Sequence, residues 1–296
     1  MSQSNPDPVA LVTGATAGIG YHIAESLAVG GYTTMITGRD QSRGRGAVAA
    51  LCERSGHDRI RFFSVDHAIV AENHRLAARI AESFPRLDVQ VNNVGGGPGS
   101  RQLTEDGYET ILSLNFVAPF ALTQALLPSL RGSEQARVVN VISSAFEMWK
   151  TDPFDDLHSE SHFVYIEAYA RAKLLNLLWA LALARRLEDT TVTVNAVNPG
   201  MAWTPGTESL SAEQVPSWRY FMPIVRWARK RRSPEIAARV PALLATSPHF
   251  RAVSGAYFNE KTTPTKLEPR TLNRDLQERA WELGEDLIEP APSVAS

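Results

Sequence analysis

Apolar residues in this 296-residue chain gather into short β-branched runs, separated by longer segments whose apolar positions recur at helical spacing. The runs at 9–13, 33–37, 60–65, 89–92, 137–142 and 191–197 predict strands. The segments near 19–29, 42–53, 68–83, 105–130 and 166–187 predict helices. Val138, Val139, Val141 and Ile142, and later Val192, Val194 and Val197, show little polar alternation, as expected of strands covered on both faces. Regular alternation of strand and helix implies βαβ units. The expected fold class is therefore α/β, a single doubly wound parallel sheet of about seven strands with helices on both faces, spanning 1–296.

The pattern changes after Pro199. The stretch 203–223 is rich in aromatics and prolines, with Trp203, Trp218, Tyr220, Phe221 and then Trp227, and is too apolar for a solvated linker. It predicts a flap, about 200–232, over an apolar pocket. Ser233, Pro234 and Glu235 then suit a capped helix start, and a short strand near 256–258 should close the sheet. The tail, about 261–296, is charged and punctuated by prolines, with one amphipathic helix around 272–287. It is expected to pack at an edge or to meet a partner.

Composition narrows the class. With 44% hydrophobic and 21% charged residues the chain reads as globular, and a formal net charge of −2 gives no reason to expect nucleic acid. The lone cysteine, Cys52, has no partner for a disulfide or thiolate metal site, which suits a reducing cytoplasm. The polar start of the chain fits no signal peptide. The longest apolar segment, 174–187, is interrupted by Asn176 and closed by Arg185 and Arg186, so no stretch is expected to approach the roughly 18 apolar residues that span a bilayer.

Two motifs carry chemistry. Gly14, Gly18 and Gly20, in the run TGATAGIG with Thr16 and Ile19, fall between the first strand and the first helix. Glycines there let a backbone approach a pyrophosphate, and the helix start offers free N–H donors, which makes the fold Rossmann-type. Tyr169 and Lys173 stand four apart on a helix, so an ammonium can lower a phenol pKa and create a proton donor. The insert DDLHSESH, with His158 and His162 four apart, reads more simply as a solvated loop than as a metal site.

The glycine spacing, together with Tyr169 and Lys173, resembles the short-chain dehydrogenase/reductase family over roughly 10–258. The resemblance implies a nicotinamide cofactor and a tetrad of Asn115, Ser143, Tyr169 and Lys173. Ser143 rather than Ser144 is the substrate-orienting serine on this reading, and Asn115 holds a water on a distorted helix. Relatives that prefer NAD carry an acid where Gly38 stands, whereas Arg39 here suits a 2′-phosphate, so NADP(H) is expected. Arg39 could instead be solvated or pair with Asp40. Asp66 matches the residue that contacts adenine, although it could equally cap a helix. Asn93 and Gly95 lie in a stretch similar to the family's Asn-Asn-Ala-Gly, with Val94 replacing alanine. Pro199, Gly200 and Thr204 match the segment that helps hold the cofactor.

The long interval from Ser143 to Tyr169, with Phe154 to Leu157 and Gly255 to Phe258, resembles the retinol-dehydrogenase-like branch. Its implied activity is hydride transfer between NADP(H) and a lipophilic ketone, aldehyde or secondary alcohol. Phe146, Met148 and Trp149, with the flap aromatics, suggest a large apolar or polycyclic substrate. A homodimer or homotetramer is implied by family habit. The alternatives are a non-redox dehydration or cyclisation on the same scaffold, and a cofactor-binding regulator without turnover.

Overall fold

A computed structural model describes residues 7–200 and 233–289. Seven strands form one parallel sheet: β1 (Val9–Val12), β2 (Thr33–Gly38), β3 (Ile60–Ser64), β4 (Val89–Asn92), β5 (Ala136–Val141), β6 (Val192–Val197) and β7 (Tyr257–Phe258). Their order is β3-β2-β1-β4-β5-β6-β7. The order reverses between β1 and β4, which pair through Ala10 and Val89, and a doubly wound sheet binds ligands at the strand ends of such a crevice.

Helices cover both faces because successive strand residues point to opposite sides. Val9 and Leu11 face a core built with α3 (Val70–Ser83), α4 (Thr110–Arg131), α5 (Tyr165–Arg186) and α7 (Arg274–Ile288). Ala10 and Val12 face the second core, with α1 (Gly18–Val29), α2 (Gln41–Ser55) and α6 (Pro234–Thr246). The strand expectations hold to within a residue or two at each end.

Two expectations need correction. The helix expected from 105 begins at Thr110, because the buried Glu109 carboxylate accepts hydrogen bonds from the Ile111 and Leu112 N–H groups and caps it there. The α4 helix is also long and apolar enough by composition to cross a membrane, contrary to the reading that no stretch approaches that length. It is a core element here, with 72% of its most apolar window buried. The tail helix α7 packs against the body as expected: Ala280 and Trp281 are buried, and the Trp281 ring meets Phe120 edge-on at 5.3 Å.

Candidate active site

The first strand turns into α1 through Gly14 and Gly18, both at φ +63°, a conformation that favours glycine. A methyl group at Gly20 would lie 2.5 Å from Asn93 Nδ2 and 2.6 Å from the Gly14 carbonyl oxygen. No side chain caps the start of α1 and no acid lies in its first turn. Its leading N–H groups and positive dipole end therefore favour an anion. Ile19 packs against the α1 core, and Thr16 lies against Gly38, where a methyl would come within 2.7 Å of Thr16 Cγ2.

Asn93 and Thr13 hold this turn from beneath. Asn93 Nδ2 donates to the Thr13 and Gly14 carbonyls at 2.9 and 3.2 Å, and Thr13 Oγ1 accepts from the Asn93 and Val94 N–H groups. In this structure Asn93 is thus a buttress of the glycine turn. At the far edge, Arg39 is largely exposed and its guanidinium stands 3.9 Å from the Asp66 carboxylate. Asp40 does not hold it, because that carboxylate caps α2 and pairs with Arg43. Asp66 also accepts from the Ala68 N–H in a local turn, and it does not cap α3, whose N-cap position is Ile69 with no side-chain cap.

The second cluster forms where β4, β5 and α5 converge. Ser143 follows β5, and its hydroxyl hydrogen-bonds the Tyr169 phenol, whereas Ser144 is exposed. Lys173 is 2% exposed and donates from Nζ to the Val141 carbonyl at 3.0 Å, with its ammonium 5.7 Å from the Tyr169 ring centroid. Gly95 separates this lysine from Asn115: a methyl there would sit 2.9 Å from Asn115 Oδ1 and 3.0 Å from Lys173 Nζ.

Electrostatics differ from the expectation that Lys173 lowers the phenol pKa. Burial of the phenol, reinforced by the stacked Tyr165, pushes Tyr169 well above the usual tyrosine range, with the Ser143 hydrogen bond opposing it. Tyr169 as a whole residue is half-buried. Burial alone pushes Lys173 down to about 7. Both groups are thereby held toward their neutral forms in the protein without a cofactor.

Asn115 sits in a π-turn, Ser113–Val117, inside α4. Its amide donates to the Ile111 and Gly96 carbonyls, both at 2.7 Å, and its Oδ1 accepts from Gly96 N–H. The Asn115 backbone carbonyl takes a 2.6 Å hydrogen bond from Asn176 Nδ2. Asn176 entered the sequence reading only as a break in an apolar run. Its signal was position: three residues after Lys173, polar within an apolar helix.

Arg171 was also missed. It is buried and donates to the Asp155, Asp156 and Leu157 carbonyls and to Ser159 Oγ. Asp156 and Ser159 adopt φ of 45° and 51° around it. The insert read as a solvated loop is therefore pinned to α5 beside the site, with His158 stacked on Tyr108 and bonded to the Glu109 N–H. Phe146 is another departure: it is buried against Tyr257, and Trp149 lies over Arg171, which leaves Met148 as the exposed apolar residue of the three. Gly200 follows β6 at φ +78° and its N–H donates to Asn198 Oδ1, beside Pro199. Thr204 and the flap aromatics lie outside the described residues.

A glycine turn at the switch point of a seven-stranded parallel sheet, beside a Ser–Tyr–Lys cluster, defines a dinucleotide-binding oxidoreductase class. The short chain dehydrogenase family model matches residues 8–215, and the chain belongs to that family. It is 32% identical to human retinol dehydrogenase 12 over 283 residues, covering 96% of this chain and 87% of the relative. Mouse polyprenol dehydrogenase is 34% identical over 292 residues, covering 94% and 83%. Among solved structures, a Pseudomonas aeruginosa RhlG/NADP active-site complex superposes with a TM-score of 0.66 at 26% identity, covering 86% of this chain and 95% of that one.

Proposed function

We propose that the protein is an NADP(H)-dependent oxidoreductase of lipophilic ketones, aldehydes or secondary alcohols. The observation that carries this reading is the convergence of the Ser143 hydroxyl, the Tyr169 phenol and the Lys173 ammonium beside a glycine turn built for a pyrophosphate. The residues fit the cofactor: a methyl at Gly20 would collide with Asn93 and the Gly14 carbonyl that shape the turn, α1 starts without a cap, and Arg39 stands largely exposed at the edge of the site.

When bound, NADPH supplies the hydride that reduces a carbonyl carbon. Ser143 holds the carbonyl oxygen and Tyr169 donates a proton to it. Lys173 can stabilise the tyrosinate that remains only in its charged form, which burial disfavours before the cofactor binds, and Asn115, through Gly96, fixes the loop that lies against the lysine. The absence of an acid at Gly38, and the crowding that Thr16 imposes there, support NADP(H) over NAD(H). The relatives named for retinol and polyprenol support a long apolar substrate. Tyr169, Lys173, Gly18, Gly200 and Thr204 keep the cofactor roles that the resemblance implies.

The test is NADPH and NADH oxidation with a carbonyl panel that includes retinaldehyde, a prenyl aldehyde and a small ketose. Turnover with NADPH on the apolar carbonyls is expected. Turnover confined to NADH, or to the ketose, would contradict the proposal.

A further inference from the structure

A chain of buried polar groups runs beneath the glycine turn, unmentioned by any motif. The Gly14 N–H donates to Thr37 Oγ1 at 3.1 Å, and Thr37 Oγ1 lies 2.7 Å from His67 Nε2. His67 Nδ1 lies 2.6 Å from Asn73 Oδ1, while Asn73 Nδ2 donates to the His67 and Ile69 carbonyls at 3.0 and 2.9 Å. Thr37 and Asn73 are fully buried and His67 is 4% exposed.

The protons in this chain have one consistent arrangement. Asn73 spends both amide hydrogens on carbonyls, so its Oδ1 accepts and His67 Nδ1 carries a hydrogen. The neutral imidazole then offers Nε2 as an acceptor, and Thr37 donates its hydroxyl hydrogen there while its lone pair receives the Gly14 N–H. Burial disfavours imidazolium and agrees with this tautomer.

The two ends of the chain serve different parts of one ligand. Gly14 opens the turn that cradles the pyrophosphate. His67 follows Asp66, whose carboxylate lies beside Arg39 at the edge assigned to the adenosine, and the Asp66 N–H is held by Glu72. Ile69 caps α3. The link therefore fixes the spacing between a phosphate cradle and an adenosine edge that lie on separate loops.

We propose that His67 is a positioning residue for the dinucleotide: through Thr37 it locks the glycine turn to the Asp66 loop in the geometry that binds the cofactor. The proposal rests on the nicotinamide-cofactor reading above. A preorganised site loses less free energy in ordering itself on binding, so breaking the chain weakens affinity without touching the reacting groups.

The experiment is a fluorescence titration of NADPH and NADH against the full chain without substrate, with thermal melts of the cofactor-free protein alongside. Thr37→Val and His67→Leu are each expected to weaken NADPH binding about tenfold, the worth of one hydrogen bond. The double variant should be no weaker than either single, because one break opens the whole chain. His67→Gln, which keeps an acceptor for Thr37, should bind within about threefold of the parent. If His67→Leu does not fold, Thr37→Val and His67→Gln decide the matter. Unchanged affinity in Thr37→Val, or losses that multiply in the double variant, would overturn the positioning role. A parent protein that binds neither NADPH nor NADH would overturn the cofactor reading as well, and is distinguishable because no variant is needed to see it.

Discussion

Lys173 is placed where its charge costs stability. Burial pushes its pKa to about 7, and the Val141 carbonyl is the acceptor that its Nζ finds. An unfolded chain keeps this proton to about pH 10.4, so between those values the unfolded state binds more protons and stability rises with pH. Lys173→Met should remove that rise, read as urea midpoints of the cofactor-free protein across pH 7 to 10; identical slopes in the two proteins would contradict it. Arg39 makes a second residue-scale prediction. Arg39→Ala should weaken NADPH binding about tenfold, the worth of one charge-assisted hydrogen bond, and leave NADH little changed. Equal loss for both cofactors would remove Arg39 from the 2′-phosphate. At this scale Tyr169 and Lys173 were legible because helical spacing alone brings them to one face. Arg171, His67 and Asn176 were not, since their partners lie on other elements and no spacing announces them.

The strands were legible as elements because burial on both faces leaves continuous apolar runs such as Val138 and Val139. The start of α4 was not, because the apolar periodicity says nothing about which acid turns inward to cap. The π-turn at Ser113–Val117 is also set by tertiary contacts: Ser113 Oγ donates to the Ala68 carbonyl at 2.7 Å, Asn115 bonds Gly96, and Asn176 Nδ2 donates to the Asn115 backbone carbonyl. Asn176→Leu should cost about 1–3 kcal/mol, because it leaves that buried carbonyl without its partner. Urea denaturation measures this, and unchanged stability would show that the carbonyl finds another donor.

Across the whole molecule, α7 closes the face formed by α4 and α5. Trp281 and Trp179 both meet Phe120 edge-on, at 5.3 and 5.6 Å, and Glu278 pairs with Arg185 and Arg186. Gly284 lets the helix approach, since a methyl there would come within 2.5 Å of the Phe120 ring. Gly284→Ala should therefore destabilise the fold by about 1–3 kcal/mol through overpacking, seen as a lower urea midpoint. An unaltered midpoint would mean that α7 docks loosely. The amphipathic pattern of the tail showed that a helix would form, but the face it covers depends on Phe120, far away in sequence.

The central claim is that this sheet brings a cofactor cradle and one proton-donating phenol to the same crevice. Turnover and NADPH affinity of Tyr169→Phe, measured side by side, test it most directly. Loss of turnover by about a hundredfold or more, with NADPH affinity within a few-fold of the parent, is expected when a general acid is removed. Full carbonyl reduction by Tyr169→Phe would contradict the account.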